Sequence, residues 1–279
     1  MKKLFITFFS IFIGFCACGQ RHEIGALVGT SFYMGDLNPK TLFAQPQLAG
    51  GVLYRFNISP RWAFKANLLF AKVQASDYKN NKQYERNLSF KSPITEISAQ
   101  VEFNFFKLYN SAGNNRFSPY LFLGLSLFSF NPQADYNGIT YELNHLGTEG
   151  QGMPGEKDYY PLVNVAIPFG LGFKVNIGRY ISCGAEWGMR CTFTDYLDDV
   201  STRYYDQYLL ASSRGNAVAA LSDRSNILHE AGTQRGNSKT KDWYSFAGAY
   251  ITFKIGNDSH KCEIRNHYSL RKRIGRKAR

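Results

Sequence analysis

Eight segments of the sequence alternate apolar and polar residues with a period of two, over runs longer than a strand of a soluble protein usually needs. In the segment Val163–Ile177, odd-numbered positions carry valine, isoleucine, phenylalanine or leucine, and even-numbered positions carry small or polar residues or a lysine. Successive side chains of a strand point to opposite faces, so this segment has one apolar face and one polar face. A soluble sandwich would bury the apolar face, whereas a membrane barrel turns it towards lipid.

The N-terminus has the pattern of a secretory signal. Met1-Lys2-Lys3 precedes the apolar run Leu4–Phe15, which is too short to cross a bilayer as a helix, and the small residues Ala17-Cys18-Gly19 follow. We therefore predict a signal peptide over residues 1–19, with a lipid-modified cysteine in this stretch as the alternative. Charged or strongly polar residues interrupt every later apolar run, so a membrane-spanning structure has to be a closed sheet.

The alternating segments predict eight strands of one antiparallel sheet. Their predicted bounds are His22–Met34, Gln47–Ile58, Arg61–Gln74, Ile94–Leu108, Phe117–Phe130, Val163–Ile177, Tyr180–Thr194 and Trp243–Ile255. The fifth segment is ambiguous, because Tyr120, Phe122 and Phe128 share its predicted inward face. These three rings must lie near the ends of the strand or pack inside the barrel.

The predicted connections alternate in length. The short ones are Ser59-Pro60, Tyr109–Arg116 and Gly178-Arg179, and the long ones are Gly35–Pro46, Ser76–Pro93, Asn131–Pro161 and Asp195–Asp242. Short periplasmic turns and long external loops are typical of outer-membrane barrels. We therefore predict an all-β, eight-stranded antiparallel transmembrane β-barrel over residues 20–256 in the outer membrane. An even strand number places both termini in the periplasm, where residues 257–279 form a basic C-terminal tail.

The predicted inward face carries five cations and four anions. They are Glu23, Arg55, Lys65, Glu96, Glu102, Lys174, Glu186, Arg190 and Lys254. The interior of an eight-stranded barrel is just wide enough for side chains to fill, and buried charges are tolerable only when they are paired. The near balance of signs predicts an ion-pair network that fills the lumen, whereas charges of one sign would favour a selective pore.

Residues typical of catalysis form no recognisable pattern. The histidines are His22, His145, His229, His260 and His267, and no Ser-His-Asp or paired-histidine spacing is present among them. We interpret the loop histidines as solvated, and we predict no enzymatic activity and no cofactor.

Four aspartates and two cysteines are further candidate site residues. Asp195, Asp198, Asp199 and Asp206 offer the oxygen ligands that suit Ca²⁺, but the glycine of a ligand-spaced loop is missing, so capping or solvated roles are favoured. Cys183 and Cys191 lie on one predicted strand about 26 Å apart at the usual rise, so they cannot pair with each other.

The end of the chain holds half of the net charge, because residues 256–279 carry +6 of the total +12. The residues predicted to bind a partner there are Arg271, Lys272, Arg273, Arg276, Lys277 and Arg279. An exported chain rarely meets nucleic acid, so the expected contacts are acidic protein surfaces, the cell-wall polymer or anionic lipid. A solubilising tail with no partner is the alternative.

Several strings at the ends of the predicted strands carry a family resemblance. They are YMGDLN at 33–38, FTDYLDDVS at 193–201, LSDRS at 221–225, RGN at 235–237 and KDWYSF at 241–246. Together they resemble the PorG-like outer-membrane barrel family, whose namesake is a component of the type IX secretion system, over nearly the whole mature chain. The densest matching falls in a family-motif loop with Asp195, Tyr196, Asp198, Asp199 and Ser201.

The resemblance implies an outer-membrane protein that contacts a periplasmic ring of lipoprotein and partner subunits, and it brings no catalytic residues. We therefore predict a non-enzymatic assembly or anchoring component of a type IX secretion machinery. The alternatives are a small narrow channel and a surface adhesin or receptor that works through the loop 195–242. The expected partners are outer-membrane lipid and periplasmic ring subunits, with no nucleic acid and no small-molecule substrate.

Overall fold

The computed structural model describes residues 22–80, 85–108, 116–178 and 180–255. The strands are β1 (His22–Met34), β2 (Gln47–Asn57), β3 (Trp62–Ser76), β4 (Ser89–Asn104), β5 (Phe117–Phe130), β6 (Gln133–Tyr136), β7 (Ile139–Glu142), β8 (Val163–Ile177), β9 (Ile181–Thr192) and β10 (Trp243–Ile255). The helices are α1 (Asp77–Asn80), α2 (Leu143–Leu146), α3 (Gln207–Arg214) and α4 (Asn216–Ser222). The predicted signal peptide and the basic tail lie outside the described residues.

Eight of these strands close into a barrel. β1 pairs antiparallel with both β2 and β10, and the order continues from β10 through β9, β8, β5 and β4. The ladder between β3 and β4, from Trp62 opposite Phe103 to Ser76 opposite Ser89, completes the circle. The predicted eight-stranded antiparallel barrel is therefore confirmed.

The wall of the barrel has an apolar outside. Large aliphatic residues such as Val28, Leu125 and Ile97 are at least 60% exposed, and each alternates with buried neighbours along its strand. A continuous apolar belt of this kind is stable only when another apolar phase covers it. Its closed backbone pairing suits the hydrocarbon layer of a membrane.

The fourth predicted strand was wrong at both ends. The structure begins β4 at Ser89, because Phe90 and Ser92 continue the inward face and pair with the end of β3. It ends β4 at Asn104, where Phe105 and Phe106 are both exposed and the alternation stops. The connection 105–116 thus spans as many residues as 35–46 and 77–88, so the predicted alternation of loop lengths fails there.

The connections contain structure that the period-two pattern did not predict. A hairpin of β6 and β7 extends the edge of β4 through a single pair, Lys91 opposite Gln133. Helix α2 ends at Gly147, whose φ of 61° is the left-handed conformation that glycine adopts at low cost. Asp206 caps α3 by accepting hydrogen bonds from the backbone N–H groups of Tyr208 and Leu209, which confirms its predicted capping role.

Aromatic rings fill part of the interior. Tyr120, Phe122 and Phe128 are all buried, so they pack inside the barrel. Gly170 and Gly188 face each other across the β8–β9 ladder and leave room for the ring of Phe122. A Cβ at Gly188 would lie 2.5 Å from Cζ of Phe122, and one at Gly170 would lie 2.8 Å from the same atom.

Candidate functional site

All nine charged residues predicted to face the lumen are buried inside the barrel. Arg55 lies at the centre of the largest group and binds Glu102 with two nitrogens, Nε at 2.8 Å and Nη2 at 3.0 Å. Its third nitrogen, Nη1, donates to Glu23 at 3.0 Å. Lys65 then connects Glu102, at 3.3 Å, to Glu186, at 2.6 Å. Five strands therefore contribute to one chain of charge-assisted hydrogen bonds.

A second pair lies apart from that chain. Nε of Arg190 is 3.0 Å from Oε2 of Glu96, and the hydroxyl of Tyr244 donates to the same oxygen at 2.6 Å. Lys174 is buried near Glu23 and Glu102, close enough for electrostatic attraction to both carboxylates. Paired charges and aromatic rings therefore occupy this part of the lumen, and these contacts stabilise the barrel.

The loop end of the barrel, where β1–β2, β3–β4, β5–β8 and β9–β10 are connected, holds a second polar group. We call it the loop-end cluster, and it consists of Tyr33, Glu149, Asp195, Asp198, Asp199, Arg235 and Asp242. The structure brings four residues of the family-motif loop into or against it: Asp195, Asp198, Asp199 and Ser201 are all buried. Tyr196, half-buried, stacks on Tyr160 with ring centroids 4.4 Å apart. The solvated role considered for these aspartates is therefore wrong for Asp195, Asp198 and Asp199.

Two carboxylates of the loop-end cluster share one hydroxyl. The oxygen of Tyr33 is 2.5 Å from Oδ2 of Asp198 and 2.8 Å from Oδ1 of Asp242. A phenol has a single hydrogen to donate, so close contact with both acids favours a proton on one of them. Burial, followed by the charge of Asp36, raises the pKa of Asp198 well above its ordinary value, and burial and Asp198 do the same for Asp242.

The other acids of the cluster hold the long loops to each other. Glu149 accepts hydrogen bonds from the backbone N–H groups of Ser201 and Thr202, and Nη1 of Arg235 donates to it at 3.0 Å. Asp199 accepts from the hydroxyls of Thr148 and Tyr160. Burial raises the pKa of Asp199 to about 6 and that of Asp195 to about 7.

A cavity of about 730 Å³ opens beside this cluster, between the loops that follow β1, β3 and β9. We call it the loop cavity, and its lining includes Asp36, Glu85, Arg86, Tyr204, His229, Arg235 and Asn237. His229 is not a solvated loop residue, as the sequence had suggested. Its Nδ1 is 3.0 Å from Oδ2 of the buried Asp223, and its ring stacks on Tyr204 at 4.2 Å between centroids.

Sequence reasoning missed this arrangement because its parts come from separate loops. One signal was present in the strings LSDRS and RGN. Asp223 and Ser225 of the first hold His229, while Arg235, Gly236 and Asn237 of the second line the cavity. The positions of these two strings in the sequence do not predict that they lie beside Asp36 and Arg86.

The remaining candidates form no site within the described ranges. Cys183 and Cys191 are free thiols on the outer face, and His145 is largely exposed beside Glu142. Among residues 22–80, 85–108, 116–178 and 180–255, no group of three or more His, Cys, Asp or Glu side chains is arranged to hold a metal ion. No helix in that same part of the chain is long and apolar enough to cross a membrane. His260, His267 and the six basic residues of the tail lie outside the described residues.

A closed antiparallel sheet with an apolar outer wall and a charged, packed interior defines a membrane-spanning β-barrel. The chain belongs to the family described as a domain of unknown function, DUF6089, whose model matches residues 2–216. That description states no function, and the resemblance to PorG-like barrels remains a prediction. No curated protein matches the sequence.

Several solved barrels are similar to this chain at low identity. Neisserial surface protein A is 10% identical, with a TM-score of 0.44 over 85% of this chain and 99% of its own. Ail, the attachment invasion locus protein of Yersinia pestis, is 9% identical, with a TM-score of 0.40 over 85% and 100%. OprG from Pseudomonas aeruginosa is 9% identical, with a TM-score of 0.40 over 85% and 98%.

Proposed function

We propose that this protein is a non-enzymatic barrel of the outer membrane that acts as an assembly or anchoring component, of a type IX secretion machinery. In this proposal the termini lie in the periplasm and the long loops lie outside the cell. The contacts with a periplasmic ring would then be made by the turn end of the barrel and by the basic tail.

The observation that carries the proposal is the filled lumen. Arg55, Glu102, Lys65 and Glu186 form a continuous buried chain across the interior, and Arg190 with Glu96 fills a further part of it. A solute would have to break these pairs to pass, at a cost of several kcal/mol for each charge left unpaired. A barrel that conducts poorly is better suited to holding partners than to transport.

Planar-bilayer recording of the purified full-length protein tests this part of the proposal. We expect no stable conductance from the wild type. The variant Arg55→Ala with Glu102→Ala, which empties the centre of the lumen, is the matched comparison and should conduct more than the wild type. Steady ion-selective openings of the wild type would favour the channel alternative.

The secretion role needs a separate experiment. Crosslinked pull-down of the full-length protein, beside a version truncated after Gly256, should recover periplasmic ring subunits, and a deletion strain should secrete poorly. Recovery that falls on truncation and weakens above about 0.15 M salt, where the Debye length is about 8 Å, supports the basic tail as the contact. Equal recovery would assign the contact to the turn end, and normal secretion without recovery would contradict the role.

A surface adhesin or receptor is the second candidate, and the structured loop end favours it. The loop between β9 and β10 carries two helices and is held by buried hydrogen bonds to the loop before β8, such as those from Ser201 and Thr202 to Glu149. Cell-binding assays with the loop residues 203–234 replaced by a short Gly-Ser linker would test it. Unchanged adhesion would leave the assembly role as the better explanation.

A further inference from the structure

We infer that the loop cavity is a binding site for a neutral saccharide. The inference goes beyond the proposed anchoring role, since it concerns the opposite end of the barrel. The cavity's volume of about 730 Å³ lies within the range of small-molecule sites. Its chemistry points to an uncharged ligand that is rich in hydrogen-bond donors.

The charges of the lining argue against an ionic ligand. Two acids, Asp36 and Glu85, and two bases, Arg86 and Arg235, line the cavity, so their formal charges cancel. A phosphate or sulfate would meet the two carboxylates, and an amine would meet the two guanidinium groups. Electrostatic complementarity therefore favours a ligand without net charge.

The two arginines are already engaged with the protein. Arg86 binds both carboxylate oxygens of Asp77 and donates to the backbone oxygens of Arg235 and Asp36. Arg235 donates to Glu149 and to the backbone oxygens of Ser222 and Asp199. Both guanidinium groups thus stiffen the wall of the cavity, and few of their donors are left for a ligand.

The same wall also carries the carboxylates of Asp36 and Glu85 and the neutral amides of Gln234 and Asn237. Nδ1 of His229 lies 3.0 Å from Oδ2 of Asp223. Burial raises the pKa of Asp223, but hydrogen bonds from His229 and Ser225 outweigh it, so the pKa is lowered overall. Because an ionised carboxylate only accepts, Nδ1 of His229 carries the hydrogen of this bond. Asp36 adds a carboxylate, of which Oδ2 accepts from the backbone of Asn237.

An unsatisfied hydroxyl supplies an independent observation. Tyr204, which lines the cavity, is 1% exposed, and within the described ranges its hydroxyl oxygen has no hydrogen-bond partner. A buried hydroxyl left without a partner costs about 1–3 kcal/mol, so a ligand that satisfies it gains affinity. The partly exposed ring of His229, which stacks on Tyr204, offers a flat surface on which a sugar ring can lie.

The test uses the full-length protein in detergent and an array of neutral oligosaccharides with their sulfated counterparts. We expect neutral members to be retained in preference to sulfated ones. Titration calorimetry with the best neutral member should then show affinity about 5-fold to 10-fold weaker for Tyr204→Phe, as the loss of one neutral hydrogen bond implies. His229→Ala should weaken it at least as much.

Tyr208→Phe is the matched control, because Tyr208 lies in the same loop, is 82% exposed and does not line the cavity. It should bind as the wild type does. The inference is overturned if no neutral member binds, if sulfated members bind better, or if Tyr204→Phe and His229→Ala both bind like the wild type. Ring-subunit recovery should be unchanged in Tyr204→Phe, so a failure of this inference is distinguishable from a failure of the anchoring role.

Discussion

The lumen and the loop-end cluster both bury acids, but they stabilise them differently. In the lumen, Glu102 and Glu186 each lie against a cation, and the two signs nearly balance. In the loop-end cluster, the five carboxyl groups have one arginine among them, Arg235, which pairs with Glu149 and Asp199. The other three acids rely on hydroxyls, backbone N–H groups and a shared proton. Buried acids can therefore be held either by opposite charge or by neutral donors, and this chain uses both.

Backbone pairing explains the difference. Inside the barrel wall the N–H groups are committed to the strand ladders, so a lumen carboxylate has to find side-chain donors. In the loops, N–H groups outside a ladder remain available. The carboxylates of Asp198 and Asp242 accept from the backbone of Val200 and Leu197 at 2.9 Å in each case. Few cations are needed where the chain itself supplies donors.

The largest effect is expected from breaking a lumen pair. Arg190→Met should lower the free energy of unfolding by about 3–5 kcal/mol, because it leaves the buried Glu96 with Tyr244 as its remaining hydrogen-bond partner in the described part of the chain. Urea unfolding in lipid vesicles measures it. The double variant Arg190→Met with Glu96→Gln is the control and should cost clearly less. If Arg190→Met is as stable as the wild type, the Arg190–Glu96 pair does not contribute to the stability of the barrel.

A smaller effect is expected when the shared hydroxyl of the loop-end cluster is removed. Tyr33→Phe should cost about 1–3 kcal/mol, since it leaves Asp198 and Asp242 facing each other without a donor between them. The loss should be greater at a pH above the raised pKa of these acids than at a pH below it, because protonation lets one acid donate to the other. An equal loss at both pH values would contradict a proton shared among the three groups.

The stability of the loop end should depend on pH, whereas that of the barrel wall should not. The pKa values of Asp199, about 6, and Asp195, about 7, lie above the ordinary value of 3.8. Their contribution is therefore complete below about pH 4 and is lost as the pH rises through 6 and 7. Amide exchange of residues 195–201, corrected for its intrinsic pH dependence, should be faster at pH 8 than at pH 5.

Two internal references accompany that measurement. Amides of β5 should keep the same corrected protection at both pH values, because they lie in the barrel wall. Asp195→Asn should show a smaller change in the loop than the wild type. Loop protection that is independent of pH in the wild type would show that these acids do not change protonation between pH 5 and pH 8, which contradicts the raised pKa values.

The smallest effect is expected at an exposed ion pair outside both regions. Lys91 and Asp135 join β4 to β6 at 2.8 Å, with side chains 44% and 60% exposed. Lys91→Ala should change the unfolding free energy by no more than about 1 kcal/mol, because solvent screens such pairs. Thermal unfolding at low and high salt checks this, and a loss as large as that of Arg190→Met would remove the distinction between buried and exposed pairs.

The barrel could be predicted from the sequence because each strand can be recognised from the pattern of its own residues. Alternation within one strand decides which side chains face inward, and β1, β5, β8 and β10 have the predicted bounds. The nine lumen charges follow from the same rule. The prediction for β4 is wrong at its start because Pro93, which the sequence assigns to a loop, pairs with Lys72 in the extended ladder.

The loop-end cluster and the loop cavity could not be predicted in this way. Tyr33 and Asp242 lie far apart in sequence, and no periodic pattern relates Asp223 and His229 to Arg86. Such contacts depend on how four loops fold over one end of the barrel. A pattern with a period of two describes strands and is silent about loops.

The close approach of Phe122 to Gly170 and Gly188 has a consequence for how the sequence can diverge. The three residues share one volume inside the wall, since a methyl group at either glycine would overlap the ring. Among homologous sequences, a side chain at position 188 should therefore be accompanied by a smaller residue at position 122, although 66 positions separate the two. A Cβ at Gly170 would also meet the backbone oxygen of Trp187 and the Cα of Gly188, so position 170 should stay glycine whatever residue stands at 122.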